Sequence, residues 1–249
     1  MCGRYAAAKD TATLVEEFEV DAVVDPAPSP SWNVAPTDQV SFVVERPVES
    51  GPIQRQLRVA KWGLVPAWAK DPSGGARMIN ARWEQAHVKP AFRAAFARRR
   101  CLIPADGYYE WYRTQAPSGS GRPAKQPFYL HRADGRDLGL AGLYEFWRDG
   151  PKGEWLVTVS VLTTQAAGNL AALHDRMPVV IDPAAYGPWL DPGLEVGPGF
   201  DGLLDPALIV ARPVSTEVNS VRNDGAQLVD PLPVAEVSTP ATLALEERR

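Results

Sequence analysis

Gly107-Tyr108-Tyr109-Glu110-Trp111-Tyr112 is the stretch on which the fold turns. Four aromatic rings in six residues suit a pleated, half-buried surface better than a helix. Strand alternation puts Tyr108, Glu110 and Tyr112 on one face, with Tyr109 and Trp111 on the other. Working outward, strand-like runs occupy residues 39–45, 57–64, 101–103, 127–131, 138–147, 156–164 and 179–181. Helical pattern is scarce. Residues 11–20 read as a short helix, with Leu14 and Phe18 stacked four apart and Asp10 as N-cap. Residues 90–100, striped by Phe92 and Phe96, read as another, and residues 168–173 and 183–190 could add two more. The 24 prolines, in a chain where usage of about 5% would be ordinary, favour turns and edges over long helices. The fold class expected is α+β: a single domain around a barrel-like, mostly antiparallel β-sheet with short peripheral helices.

The domain should span residues 1–235, followed by a flexible tail at residues 236–249. Residues 116–123 read as a flexible hairpin excursion, and residues 191–205 as a Gly- and Pro-rich surface loop. No apolar run reaches the roughly 18 residues of a membrane span, and the N-terminus leads into no apolar signal segment. A cytoplasmic location is therefore expected. Two cysteines cannot build a disulfide framework, and three histidines without metal-site spacing make a catalytic metal unexpected. No cofactor is expected either. The net charge of −4 argues against a generic polyanion binder. Between Arg77 and Arg100, however, seven basic residues face Glu84 alone. That run is either a phosphate-holding surface or a solvated helix face.

Cys2 is the first candidate for chemistry. Once Met1 is removed, a thiol and an α-amine share one residue. The amine has a reference pKa of about 7.7–8.0 against about 10.4 for lysine, so a sizeable minority is unprotonated at neutral pH. It could serve as base for the thiol, as in N-terminal-nucleophile hydrolases. Alternatively it could condense with an aldehyde to a Schiff base that the thiol closes to a thiazolidine. Gly3 leaves room for a ligand, and Arg4 offers a guanidinium to phosphate.

Glu110, a carboxyl among aromatics, is suited to a raised pKa and proton transfer, or is an exposed strand residue. His174 is either a general acid/base or structural. Asn33 and Asn80 are amides set in apolar stretches, satisfied by a ligand or by a backbone turn. Trp62, Trp68 and Trp83 lie near the basic run, where they could stack unpaired bases or pack a core.

Seven segments in order carry a resemblance. They are Met1-Cys2-Gly3-Arg4-Tyr5, Trp32-Asn33-Val34-Ala35-Pro36, Lys61-Trp62-Gly63-Leu64-Val65-Pro66 and Ile79-Asn80-Ala81-Arg82. Gly107 to Trp111, His174-Asp175-Arg176-Met177-Pro178 and Pro213-Val214-Ser215…Val218-Asn219 complete the set. Together they resemble the SOS response-associated peptidase family, whose members shield abasic sites in single-stranded DNA. The resemblance implies that Cys2 bonds to the ring-opened sugar after loss of Met1, with associated lyase and self-processing activity. It implies a positioning role for Asn80, proton transfer by Glu110 and assistance from His174. Arg4 and Arg82 fall at phosphate-binding positions. Asn33, Pro36 and Thr163 are placed along the DNA channel; Trp68, from its position near the basic run, is expected to touch DNA as well, and a monomer associated with the nucleoid when bound to DNA is expected. Two other readings of the chain are a cysteine peptidase or amidohydrolase using the same Cys2, and a non-covalent single-strand binder.

Overall fold

The computed structural model describes residues 2–48, 51–113, 125–233 and 243. The expected excursion at residues 116–123 and almost all of the expected tail lie outside them. Among the described residues the strands are β1 (Tyr5–Ala7), β2 (Ala22–Val23), β3 (Ser31–Val34), β4 (Gln39–Pro47), β5 (Ile53–Trp62), β6 (Asn80–Arg82) and β7 (Arg100–Ala105). They continue with β8 (Gly107–Arg113), β9 (Lys125–Arg132), β10 (Leu138–Arg148), β11 (Trp155–Gln165), β12 (Arg176–Pro178), β13 (Val180–Ile181) and β14 (Ile209–Pro213). The helices are short: α1 (Thr11–Glu17), α2 (Trp83–Ala86), α3 (Arg93–Arg98) and α4 (Tyr186–Leu190).

Strands β11, β10, β7, β4 and β5 pair in that order, and β5 returns to β11 through Thr158↔Lys61 and Val159↔Trp62. That parallel seam closes a five-stranded barrel whose other four seams are antiparallel. Closure removes the open edges that a sheet of this kind would otherwise expose. Phe42, Val44, Ala60, Trp62, Ile103, Leu140, Tyr144, Val159 and Val161 fill one side of the barrel strands. The opposite faces, through Val43, Leu57, Leu102, Leu143 and Leu162, pack against α1, α3 and α4. This alternation is what period-two patterning in strands buried on both faces produces.

A second sheet, in the order β14-β9-β8-β1-β3, lies beside the barrel. The predicted alternation of β8 holds: Tyr108 and Tyr112 join the barrel-side core, whereas Tyr109 and Trp111 pack with Tyr129, Val214 and Val218 behind. Asp10 caps α1, accepting from the Thr13 N–H at 2.8 Å, and the helix buries Leu14. It ends at Glu17, before Val20, because Glu19 takes a left-handed backbone (φ 51°) that turns the chain away.

Several expected boundaries shift. The helix expected over residues 90–100 contracts to α3, because Arg100 already belongs to the wholly buried strand β7. Residues 168–172 form a 3-10 turn rather than an α-helix, and the helix of residues 183–190 splits into a 3-10 turn and α4. The second break falls at Ala185, whose backbone (φ −106°, ψ 6°) leaves the helical region.

Candidate active site

Cys2 is wholly buried just before β1. The register that sets Tyr5 opposite Tyr108 and Ala6 opposite Gly107, continued by two residues, brings Glu110 beside Gly3. From the other side comes β6, whose Asn80 donates from Nδ2 to the Cys2 carbonyl at 2.7 Å. Asn80 Oδ1 is buried and has no partner. Asn80 reaches this place because β6 lies along β11, with Val161 opposite Asn80 and Thr163 opposite Arg82. Beneath them Trp62 donates from Nε1 to the Ile79 carbonyl at 2.9 Å and meets Tyr5 edge-on at 5.2 Å.

Burial and the nearby Glu110 charge push the Cys2 thiol up to about 12, against the opposing pull of the N-terminal ammonium and the Arg4 N–H. The sulfur is therefore a neutral thiol near pH 7, not a resting thiolate. Burial also raises the Glu110 carboxyl, while the N-terminal ammonium, His174 and the Trp111 N–H draw it back. At 6% exposure Glu110 is not an exposed strand residue. A carboxyl so placed exchanges protons closer to neutrality than an ordinary glutamate.

His174 sits between the 3-10 turn of residues 168–172 and β12, with its side chain about a third exposed (32%). A positive charge on its ring would draw the Glu110 carboxyl down, so the two belong to one electrostatic site. The Arg176 N–H donates to Nδ1 at 2.9 Å, and the Asp175 carboxylate lies 2.7 Å from the same nitrogen. One nitrogen cannot accept from the first and donate to the second at once. We favour the backbone contact, since the Asp175 side chain is 84% exposed and free to swing into water. That choice leaves Nε2 as the protonated nitrogen of the neutral ring.

Arg4 and Asn33 form one unit. Arg4 Nη1 donates to Asn33 Oδ1 at 2.6 Å and to the Val218 carbonyl at 2.8 Å, and its Cζ lies 6.0 Å from the Trp111 ring centroid. Asn33 Nδ2 in turn donates to the carbonyls of Ser220 (2.9 Å) and Asn223 (2.7 Å). Asn33 thus ties β3 to the segment after β14, and its amide is employed within the protein. Asn219, in the last of the quoted segments, accepts from Trp111 Nε1 at 2.6 Å, a contact that residue type alone did not signal.

Arg82 is exposed at the end of β6, and half-buried Pro36 lies in the turn that follows β3. Thr163 is buried in β11, its carbonyl and hydroxyl both approached by Arg176 Nη2. The three tryptophans divide clearly. Trp62 and Trp83 are 0% and 4% exposed and belong to the core, whereas Trp68 is 69% exposed and remains available for stacking. The basic run also divides. Arg100 is buried, donating to the carbonyls of Trp189, Phe96, Ala97 and Leu194, and Arg99 pairs with Glu145 at 2.6 Å. Of the seven cations, Arg77, Arg82, Lys89, Arg93 and Arg98 are exposed; the whole run is therefore neither one phosphate surface nor one solvated face. Glu84 is clamped by both Arg176 Nη atoms at 2.9 Å. Burial pushes its carboxyl up, but Arg176 and Thr164 prevail and hold it at about 2.

The barrel and the sheet beside it, with Cys2, Asn80 and Glu110 meeting between them, form a fold that other proteins share. A solved structure of a Bacteroides thetaiotaomicron protein has the same fold, with a TM-score of 0.76 at 20% identity, over 93% of this chain and 100% of that one. Residues 1–221 match the family described as SOS response associated peptidase, and the chain belongs to it. Among its relatives are "Abasic site processing protein YoqW" of Bacillus subtilis, 33% identical over 92% of this chain and 99% of that protein. "Abasic site processing protein YedK" of Escherichia coli is 32% identical over 93% of this chain and 100% of its own length.

Proposed function

We propose that this protein processes abasic sites in single-stranded DNA by forming a covalent bond through Cys2 after Met1 is removed. The observation that carries the reading is the meeting, at one buried point, of Cys2, the Asn80 amide on its carbonyl and a carboxyl of raised pKa. The names of two relatives, both abasic site processing proteins, support abasic DNA as the substrate class.

Removal of Met1, by the protein itself in this reading, consumes one water and leaves the Cys2 α-amine. The unprotonated amine attacks C1′ of the ring-opened deoxyribose, forming a C–N bond while the aldehyde oxygen takes a proton. Glu110, protonated more readily than an ordinary glutamate, donates that proton, recovers one from the attacking nitrogen and passes it to the hydroxyl, which leaves as water; the iminium N–H proton then returns to Glu110 to give the imine. The thiol then adds across the C=N bond. A C–S bond forms at C1′, the thiol proton ends on nitrogen, and a five-membered thiazolidine results. The proton that nitrogen requires is the thiol's own. His174 would serve both the imine step and a lyase branch, in which a base takes the C2′ proton and the 3′ phosphate leaves. Arg4 and Arg82 hold backbone phosphates, and Trp68 gives an exposed ring for a neighbouring base. Asn33, Pro36 and Thr163 shape the channel, Asn33 and Thr163 from buried positions.

Incubation with an oligonucleotide carrying one abasic site should give a slower band that survives denaturation. Cys2→Ala should abolish it, and a band that persists in that variant would refute the ring. Intact mass gives a companion check, because a chain retaining Met1 has no free Cys2 amine to form the imine.

A further inference from the structure

Behind β1, on the side where Lys9 and α1 lie, is a cavity of about 290 Å³. Its walls include Leu14, Val34 and Val40, and four carboxylates line it: Asp106, Asp137, Asp38 and Asp224. Asp137 is 3% exposed. Lys9 Nζ lies 2.9 Å from its Oδ1, and among the described residues no donor reaches Oδ2. A buried carboxylate oxygen without a donor is a costly feature that a bound cation or donor would relieve.

The other groups facing Asp137 are Asp106 from the β7–β8 turn, Glu17 from α1, Tyr129 from β9 and Tyr186 from α4. Lys9 is the one cation among them, and it is shared with Glu17 at 2.8 Å. Three carboxylates thus surround one ammonium. Burial, followed by the neighbouring carboxylates, raises Asp137 to about 7 despite the Lys9 contact. The cluster therefore holds a proton near neutrality that a second cation could displace. Lys9 shows what such a cation resembles, an alkyl stem along apolar walls with an ammonium at the carboxylates.

We propose that this cavity is a binding site for a primary alkylammonium group, either a free small amine or a lysine side chain presented by another protein. The aliphatic walls take the stem, and Asp137 Oδ2, with Asp106 beside it, receives the N–H donors. Tyr5 lines the cavity and is also a neighbour of Cys2. The ligand would therefore lie one side chain away from the nucleophile without touching it.

Calorimetric titration with 1,5-diaminopentane, an acetyl-lysine-amide peptide with a free ε-amine, and hexanoate tests the assignment. Both amines stay protonated across the range used. At least one should bind, about tenfold more tightly at pH 8 than at pH 6 as Asp137 ionises, and hexanoate should not bind. Binding of the diamine alone assigns a small-molecule ligand, and binding of the peptide alone or more tightly assigns a partner's lysine. Asp137→Asn, checked for folding by circular dichroism, should weaken binding at least tenfold at pH 8. Should that variant not fold, the wild-type pH profile decides. The proposal is overturned if neither amine binds, if affinity is the same at both pH values, or if folded Asp137→Asn binds like the wild type.

Discussion

Replacing Asn80 by alanine should slow capture of an abasic site far more than it destabilises the fold. The side chain makes one hydrogen bond, from Nδ2 to the Cys2 carbonyl at 2.7 Å, and its own Oδ1 is buried and unpaired. Truncation removes both the donor and the orphaned acceptor. The loss to folding is therefore small, about 1 kcal/mol, because deleting an unsatisfied atom offsets part of the lost bond. The loss to reaction is larger, since the freed Cys2 carbonyl lets the reacting residue rotate. If the whole of a buried hydrogen bond, about 1–3 kcal/mol, is lost to positioning, the rate falls roughly 5- to 150-fold. Asn80→Asp sharpens the test. It keeps the shape but sets a carboxylate oxygen against the Cys2 carbonyl, and should be slower than alanine. The assay is the time course of the denaturation-resistant band under single-turnover conditions, with Tm measured on the same samples. A rate for Asn80→Ala within a factor of two of wild type would refute the positioning role, whatever the Tm.

Other expectations follow the same physics. Glu110→Gln should slow adduct formation at least tenfold while leaving affinity for undamaged single strands unchanged in a fluorescence titration; an unchanged rate would remove Glu110 from the proton transfers. Arg100→Met leaves the carbonyls of Trp189, Phe96, Ala97 and Leu194 without their donor and should cost about 3 kcal/mol in urea unfolding. A loss under about 0.5 kcal/mol would instead class Arg100 with ordinary surface cations. Asp137 has a folded pKa raised from 3.8 to about 7, so the folded chain binds a proton that the unfolded chain has already released. Stability should therefore fall as pH rises from about 4 to 7, by at most about 4 kcal/mol. Asp137→Asn should flatten that slope, gaining on wild type at pH 8 relative to pH 5, and parallel profiles would contradict the raised pKa.

Much of the barrel was legible because its strands are long and their composition is unambiguous. The runs at 39–45, 57–64, 101–103, 138–147 and 156–164 all lie wholly or largely within barrel strands. Their closure was not legible, since the parallel β5–β11 seam joins residues about a hundred positions apart with no local signature. Strands β1, β3, β6 and β12, three or four residues each, are too short to show a period, yet β1 and β6 bring Cys2 and Asn80 together. Glu110 was visible as a carboxyl in an aromatic strand, and its burial follows from the alternation already evident in Tyr108 and Tyr112. Arg100 misled because a run of like charges is read by sign. Its burial depends on carbonyls at Trp189 and Leu194, which only the folded chain presents.

Strand β11 pairs on one side with β5 and then β6, and on the other with β10 and then β12. Its central amides should be among the last to exchange with deuterium, opening only when the whole domain opens. Asn80 rides on β6, and His174 leads directly into β12, so both inherit that protection. The reactive geometry should therefore disappear cooperatively, at the denaturant concentration where the core itself gives way.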